Sequence, residues 1–174
     1  MATSLEDLWV LQGAEGIADG IWCLVSQWDT FARDVVGGQL ARAADSIGAN
    51  IAEAYGRFHF GEKLQFLYYA RGSVFETKYW LNRALVRELM PSSQVQTYAD
   101  QMSELARQLN AFARSLKTQR SGNSKPANSV RETHTEYLPN WMNDAAEPLF
   151  SETELKWLAT HQSLISNLQS RQLT

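Results

Sequence analysis

Apolar positions recur every three or four residues through about the first 120 residues of the chain, which is the spacing of amphipathic helices and not of strands. The second predicted helix has the clearest pattern. Its apolar residues are Val36, Leu40, Ala44, Ile47, Ile51, Tyr55 and Phe58. Because steps of three and four keep these residues on one side of a helix, we expect that side to form the core.

The same spacing predicts three further helices. The first begins at Ser4, whose hydroxyl group is suited to cap the first turn. The third covers about residues 62–90 and ends before Pro91, and the fourth runs to about Arg120. Short turns between these helices predict an all-α fold, an antiparallel up-down four-helix bundle.

The third predicted helix is apolar on more than one face. One side carries Leu64, Leu67, Tyr68, Val74, Phe75, Leu81, Leu85 and Leu89. Phe66, Tyr69 and Trp80 point elsewhere. A helix buried on one side only does not need this pattern, so we expect a second contact surface, with an added helix or with another subunit.

Small residues form a second stripe on the second predicted helix, beside its apolar side. They are Gly37, Ala41, Gly48, Ala52 and Gly56. The first predicted helix contains three glycines, each of which weakens a helix by about 1 kcal/mol relative to alanine. We therefore expect neighbouring helices to approach both of them closely.

The chain changes in character after the four predicted helices. Three of its four prolines lie there, and the stretch SGNSKPANS has the composition of a linker. The predicted organisation is a bundle over residues 1–120, a linker and irregular arm over residues 121–150, and an amphipathic helix over residues 151–174. The last two segments are rich in large apolar residues, which we expect to dock on the bundle of the same chain or of another.

Composition excludes several classes of protein. The single cysteine, Cys23, cannot form a disulfide within the chain or a cysteine-rich zinc site, and we expect it to be a buried small hydrophobe. A formal net charge of −3 gives no overall basic field for nucleic acid. Without a signal-peptide pattern or an apolar run long enough for a bilayer, the chain is expected to be cytoplasmic and to have no membrane contact.

A search for reactive groups finds no catalytic pattern. The sequence has no Glu-x-x-His pair of the di-iron type, no Gly-x-Ser-x-Gly nucleophile motif and no phosphate-binding loop. Its three histidines are far apart along the chain. We therefore expect a non-enzymatic protein with no catalytic residue, metal, cofactor or small-molecule substrate.

One segment differs in charge from the whole chain. Residues 57–87 contain six basic residues and two glutamates, a net charge of +4. The basic residues are Arg57, Lys63, Arg71, Lys78, Arg83 and Arg87. Interleaved aromatic residues would allow stacking of single-stranded RNA. The other interpretation, which the helical spacing favours, is a solvated charged face with aromatic residues in the core or between subunits.

Two runs, SIGANIAEAYGR (residues 46–57) and FLYYARGSVFET (residues 66–77), look like the paired signature of a known family. The segments EDLWVLQGA and GGQLARAADSI are similar to its other recurrent segments. On these runs, residues 5–120 resemble the bacterial four-helix-bundle family first named for proteins encoded in intervening sequences of 23S ribosomal RNA genes. The resemblance implies an up-down bundle that assembles as a ring, often a pentamer.

The same residues are more distantly similar to accessory proteins of diversity-generating retroelements, which use a like ring to bind RNA and a reverse transcriptase. The resemblance therefore implies a homo-oligomeric scaffold for a protein or RNA partner. The alternative is an RNA-binding or single-stranded nucleic-acid-binding accessory protein of a reverse-transcriptase system.

The polar positions shared by the family correspond here to Arg42, Asn50, Glu53, Arg57, Arg71, Ser73 and Glu76. One interpretation makes them a partner or RNA site. The other makes them a network between the second and third helices, within or between subunits, in which Arg71 can pair with Glu53 or Glu76.

Overall fold

The computed structural model describes residues 4–122 and residues 152, 153 and 156. Regular structure in this part of the chain is entirely helical, which confirms the predicted all-α class. Helix α1 is Trp9–Val25, α3 is Phe60–Val86 and α4 is Ser92–Gly122. Predictions about residues 123–174 lie outside the described residues, apart from the three positions named.

Helix α2 consists of three consecutive segments. It begins as Thr30–Ala32, continues as a π-helix over Arg33–Gly37 and ends as the α-helix Gly38–Gly56. Asp29 caps its start, since its Oδ1 accepts a hydrogen bond from the backbone N–H of Ala32 at 3.0 Å.

Helices α1 and α2 run in opposite directions and pack closely. Gly48 of α2 faces Leu11 near the start of α1, whereas Gly37 faces Val25 at its end. A Cβ at Gly37 would overlap Cγ1 of Val25, so a side chain there would push the helices apart or require Val25 to move. A Cβ at Gly48 would lie at an ordinary contact distance, 3.6 Å, from Leu11. The expected close approach at the small-residue stripe is therefore confirmed at Gly37, and Gly56 has no such neighbour among the described residues.

Helix α4 closes the bundle against α1. Gly20 of α1 lies beside Tyr98, and Gly13 lies beside Leu105, so these two helices are also antiparallel. Helix α3 packs between α2 and α4. Because α1 and α3 each contact both α2 and α4, the α1–α2 pair and the α3–α4 pair form opposite sides of the bundle.

The core follows the predicted apolar face of α2 over most of its length. Its buried residues include Val36, Leu40, Ala44, Ile47 and Ile51. The prediction is wrong for the last two members of that face, because Tyr55 is 38% exposed and Phe58 is 95% exposed. Helix α2 ends at Gly56 and the chain becomes extended at the following residue, so Phe58 lies in the connection and turns away from the core.

The buried side of α3 is narrower than the pattern predicts. Leu64, Leu67, Val74, Leu81 and Leu85 are buried as expected. Phe75 was also expected there but is 44% exposed, because the residue after Val74 is rotated by about 100° around the helix.

Two polar residues, Ser73 and Thr77, are buried on α3. Their hydroxyl groups donate to the backbone carbonyls of Tyr69 and Ser73, at 3.1 and 2.8 Å. Neither hydroxyl is therefore left without a hydrogen bond, and Ser73 remains available as an acceptor for a neighbouring helix.

Two expectations about α1 are wrong. The helix begins at Trp9 and not near Ser4, and Ser4 instead donates its backbone N–H to Asp7 Oδ2 at 3.1 Å in a preceding turn. Cys23 is exposed and not buried. Cys23 lies two residues from both Ile21 and Val25, which are buried. Because two residues correspond to about 200° around a helix, Cys23 faces away from the core.

We expect Gly37→Ala to lower the free energy of unfolding by about 1–3 kcal/mol, because the added Cβ would overlap Cγ1 of the buried Val25. Gly16→Ala is the matched control. No atom of the described residues lies within 4 Å of a Cβ there, so alanine should stabilise the helix by up to about 1 kcal/mol. Urea unfolding followed by circular dichroism measures both. Equal effects would contradict the close packing at Gly37.

Candidate interaction surfaces

Two arginines flank two exposed aromatic rings along the outer side of α3. Arg71, Phe75, Tyr79 and Arg83 follow one another at intervals of four residues, and we call these four residues the α3 stripe. The guanidinium of Arg71 lies 5.3 Å from the ring centre of Phe75, and that of Arg83 lies 5.7 Å from the ring centre of Tyr79. Each arginine therefore lies over an aromatic face, an arrangement that favours cations and flat groups.

Arg71 also connects α3 to α4. Its Nη1 donates to Oδ1 of Asn110 at 3.1 Å, and it lines a depression of about 390 Å³ together with Tyr68, Gly72 and Phe75. Burial lowers the pKa of the Arg71 guanidinium, which nevertheless stays charged at neutral pH. The Arg71 end of the α3 stripe thus lies on the α3–α4 side of the bundle.

A third arginine–aromatic contact lies at the end of α2. Arg57 forms an ion pair with Glu53, one helical turn earlier, and its guanidinium lies 4.7 Å from the ring centre of Phe66. Phe66 in turn makes an edge-to-face contact with Tyr69, with 5.6 Å between the ring centres. The ion pair is partly exposed, and such pairs stabilise a protein by less than about 1 kcal/mol.

Asn50 connects α2 to α3. Its Nδ2 donates to the carbonyl oxygen of Ser46 at 2.8 Å and to Oγ of Ser73 at 3.4 Å. Asn50 and Ser73 are both among the polar positions shared by the family, and for these two the structure agrees with a network between α2 and α3. Arg71 uses Asn110 of α4 as its hydrogen-bond acceptor, a partner that the sequence did not predict.

The structure does not bring the eleven candidate residues into one site. Asn50 and Arg71 make interhelical hydrogen bonds, and Glu53 pairs with Arg57. Arg83 lies on the α3 stripe about three turns after Arg71 and is half-buried. Of the other candidates, Arg42, Glu76 and Arg87 are exposed, and Lys63 and Lys78 are half-buried.

A groove of about 440 Å³ runs between α1 and α2 on the opposite side of the bundle. Its lining residues are Leu5, Leu11, Ala14, Glu15, Ala18, Asp19, Asp45, Gly48, Ala49 and Ala52, and we call this surface the α1–α2 groove. Three of them are exposed carboxylates, and this lining has no lysine or arginine within the described part of the chain. Sequence reasoning missed this surface, because it exists only where two helices meet.

The described residues contain no group of three or more His, Cys, Asp and Glu side chains that could hold a metal ion. His59 is exposed in the connection before α3. Within the same residues, no helix has both the length and the hydropathy needed to cross a bilayer.

These features define a class: an all-helical protein with two contrasting surfaces on opposite sides and polar links between its helices. The family model described as 23S rRNA-intervening sequence protein matches residues 6–111, from the turn before α1 into α4. The chain therefore belongs to this family, and the resemblance inferred from residues 46–57 and 66–77 is confirmed. No curated protein matches the chain in sequence.

Proposed function

We propose that this protein is a non-enzymatic helical scaffold that assembles with copies of itself into a ring and presents that ring to a protein or RNA partner. The observation that carries the proposal is the pair of complementary surfaces on opposite sides of the bundle, the α1–α2 groove and the α3 stripe. When identical subunits join through two different surfaces, each contact leads to a further subunit, and the series closes as a ring if the rotation allows. The family resemblance favours a pentamer.

Charge supports the pairing of these two surfaces. The α1–α2 groove offers the carboxylates of Glu15, Asp19 and Asp45, and the α3 stripe offers the guanidinium groups of Arg71 and Arg83. Opposite charges across an interface accelerate association and fix the register in which the surfaces meet.

Shape supports the same pairing. Ala14, Ala18 and Gly48 leave room in the groove for large groups. Phe75 and Tyr79 are 44% and 53% exposed one turn apart on the α3 stripe, and neighbouring exposed rings are typical of interaction surfaces. Aromatic residues and arginine are enriched at the centres of protein interfaces, where they contribute most of the binding energy.

Light scattering on the full chain at micromolar concentration tests the proposal. The expected mass is a multiple of the 19.7 kDa chain, and it should decrease in high salt because the paired charges are screened. The mass of a single chain at that concentration would contradict the proposed assembly.

Single-stranded RNA binding is the second candidate function. Three arginine–ring contacts favour it, those of Arg57, Arg71 and Arg83, because stacking platforms beside cations bind nucleic acid of many sequences. If three phosphates are contacted, the affinity should fall by about 20-fold between about 50 and about 200 mM salt.

Fluorescence anisotropy with a labelled single-stranded RNA measures this binding. The double variant Arg57→Ala and Arg71→Ala should weaken it at least about tenfold if these arginines contact phosphates or stack on bases. Arg33→Ala, at an exposed position at the other end of α2, is the control. Equal binding by both variants, or no binding at low salt, would dismiss this candidate.

A further inference from the structure

Arg83 of the α3 stripe has a hydrogen-bond donor that the described residues do not use. Nε of Arg83 is buried and has no hydrogen-bond partner within residues 4–122. A buried guanidinium N–H without an acceptor is costly, and a carboxylate is the acceptor that fits it best. Arg71, at the other end of the stripe, is partly dehydrated between Phe75 and Asn110. The stripe is therefore suited to an acidic ligand that also carries apolar groups.

A segment of this same chain has that composition. Residues 132–154, which we call the acidic segment, contain six carboxylates and no lysine or arginine. The carboxylates are Glu132, Glu136, Asp144, Glu147, Glu152 and Glu154. Tyr137, Trp141 and Phe150 lie among them. By contrast, residues 57–87 have a net charge of +4.

The chain leaves the described bundle close to the stripe. The described part of α4 extends to Gly122, and α3 and α4 are joined by a short connection at the other end of the bundle, so Gly122 lies beside the start of α3. Arg71 is eleven residues into α3, or about 17 Å along it, and Arg83 is about 18 Å further. The nine residues 123–131 can span up to about 30 Å. The acidic segment can therefore reach Arg71 and continue towards Arg83.

We propose that the acidic segment binds the α3 stripe of its own chain, its carboxylates on the arginines and its aromatic groups beside Phe75 and Tyr79. A tethered ligand acts at an effective concentration in the millimolar range, which makes even weak contacts effective. If the proposed ring uses the same stripe, the acidic segment competes with the α1–α2 groove of the next copy and limits assembly. This competition rests on the proposed function, whereas the contact between the acidic segment and the α3 stripe does not.

Zero-length carbodiimide coupling of the full chain tests the contact. The reagent joins carboxylates to lysine amines that touch, and Lys63 and Lys78 are the lysines of α3. We expect coupling between the acidic segment and Lys78 within one chain, read by mass spectrometry on a mixture of isotope-labelled and unlabelled protein. The double variant Arg71→Gln and Arg83→Gln keeps every coupling group and should reduce this product at least about threefold.

The control variant for coupling is Arg33→Gln with Arg107→Gln, which removes two exposed arginines outside the stripe and should leave the yield unchanged. Coupling of the acidic segment to Lys117, Lys125 or Lys156 alone would overturn the proposal. So would equal yields from the two double variants. Neither outcome depends on whether the protein forms a ring.

Light scattering on a neutralised segment tests the consequence for assembly. Glu136→Gln, Asp144→Asn and Glu147→Gln together should lower the concentration at which assembly is half complete by at least about fivefold. The matched control neutralises three exposed carboxylates elsewhere, Asp34, Glu88 and Asp100. Unchanged assembly in the first variant, with coupling to Lys78 intact, would overturn the competition alone. A monomer at all concentrations, with coupling intact, would refute the proposed ring and leave the contact standing.

Discussion

Replacing Arg71 by glutamate should dissociate the proposed assembly. In the proposed ring, the change would place a carboxylate opposite Glu15, Asp19 and Asp45 of the next subunit, and like charges across an interface cost several kcal/mol. We expect the concentration for half-assembly, measured by light scattering, to rise at least about 100-fold, which corresponds to about 2.7 kcal/mol. Adding Asp19→Arg to the same chain restores opposite charges across the contact and should recover part of the assembly.

The control for this charge reversal is Arg33→Glu, an identical change at an exposed position outside both surfaces. Because Arg71 also donates to Asn110, thermal unfolding must show that Arg71→Glu still folds. A folded Arg71→Glu variant with unchanged mass would contradict the pairing of the α3 stripe with the α1–α2 groove.

Ile51→Ala should have the largest effect on stability. Ile51 is fully buried in the core, so the truncation leaves a cavity and should lower the free energy of unfolding by about 2–5 kcal/mol. Phe58→Ala is the matched control, since the sequence pattern predicts Phe58 on the same apolar face but the structure exposes it. That change should alter the unfolding free energy by less than about 0.5 kcal/mol. Comparable losses in urea unfolding would mean that Phe58 is buried in solution.

The spacing of apolar residues predicts the helices well, because the buried side of a helix recurs every three or four residues along the sequence. The apolar residues from Val36 to Ile51 that are spaced three or four apart are buried as predicted. Phe58 was not predicted correctly, because the apolar spacing continues through it although α2 ends at Gly56. The start of α1 was missed for a similar reason: Asp7 accepts the backbone N–H of Ser4 in a turn, which competes with the expected capping of a helix.

The surfaces were harder to predict than the helices. Asn50 and Ser73 lie in the two runs that carry the family resemblance, so their contact between α2 and α3 was within reach. The partner of Arg71 was not, because Asn110 is 39 residues away and becomes a neighbour only when α4 packs beside α3. The α1–α2 groove likewise needs residues from two helices, and neither helix alone indicates it.

The π-helical segment Arg33–Gly37 has a consequence for how the sequence of this helix can change. A π-turn holds one residue more than an α-turn, so it takes up an insertion that would otherwise rotate every following side chain by about 100°. Deleting one residue within this segment should therefore leave an uninterrupted α-helix with Leu40 to Ile51 still facing inwards. The same deletion a few turns later would turn the buried side of α2 towards water, so tolerance to changes in length is concentrated at this one place in the helix.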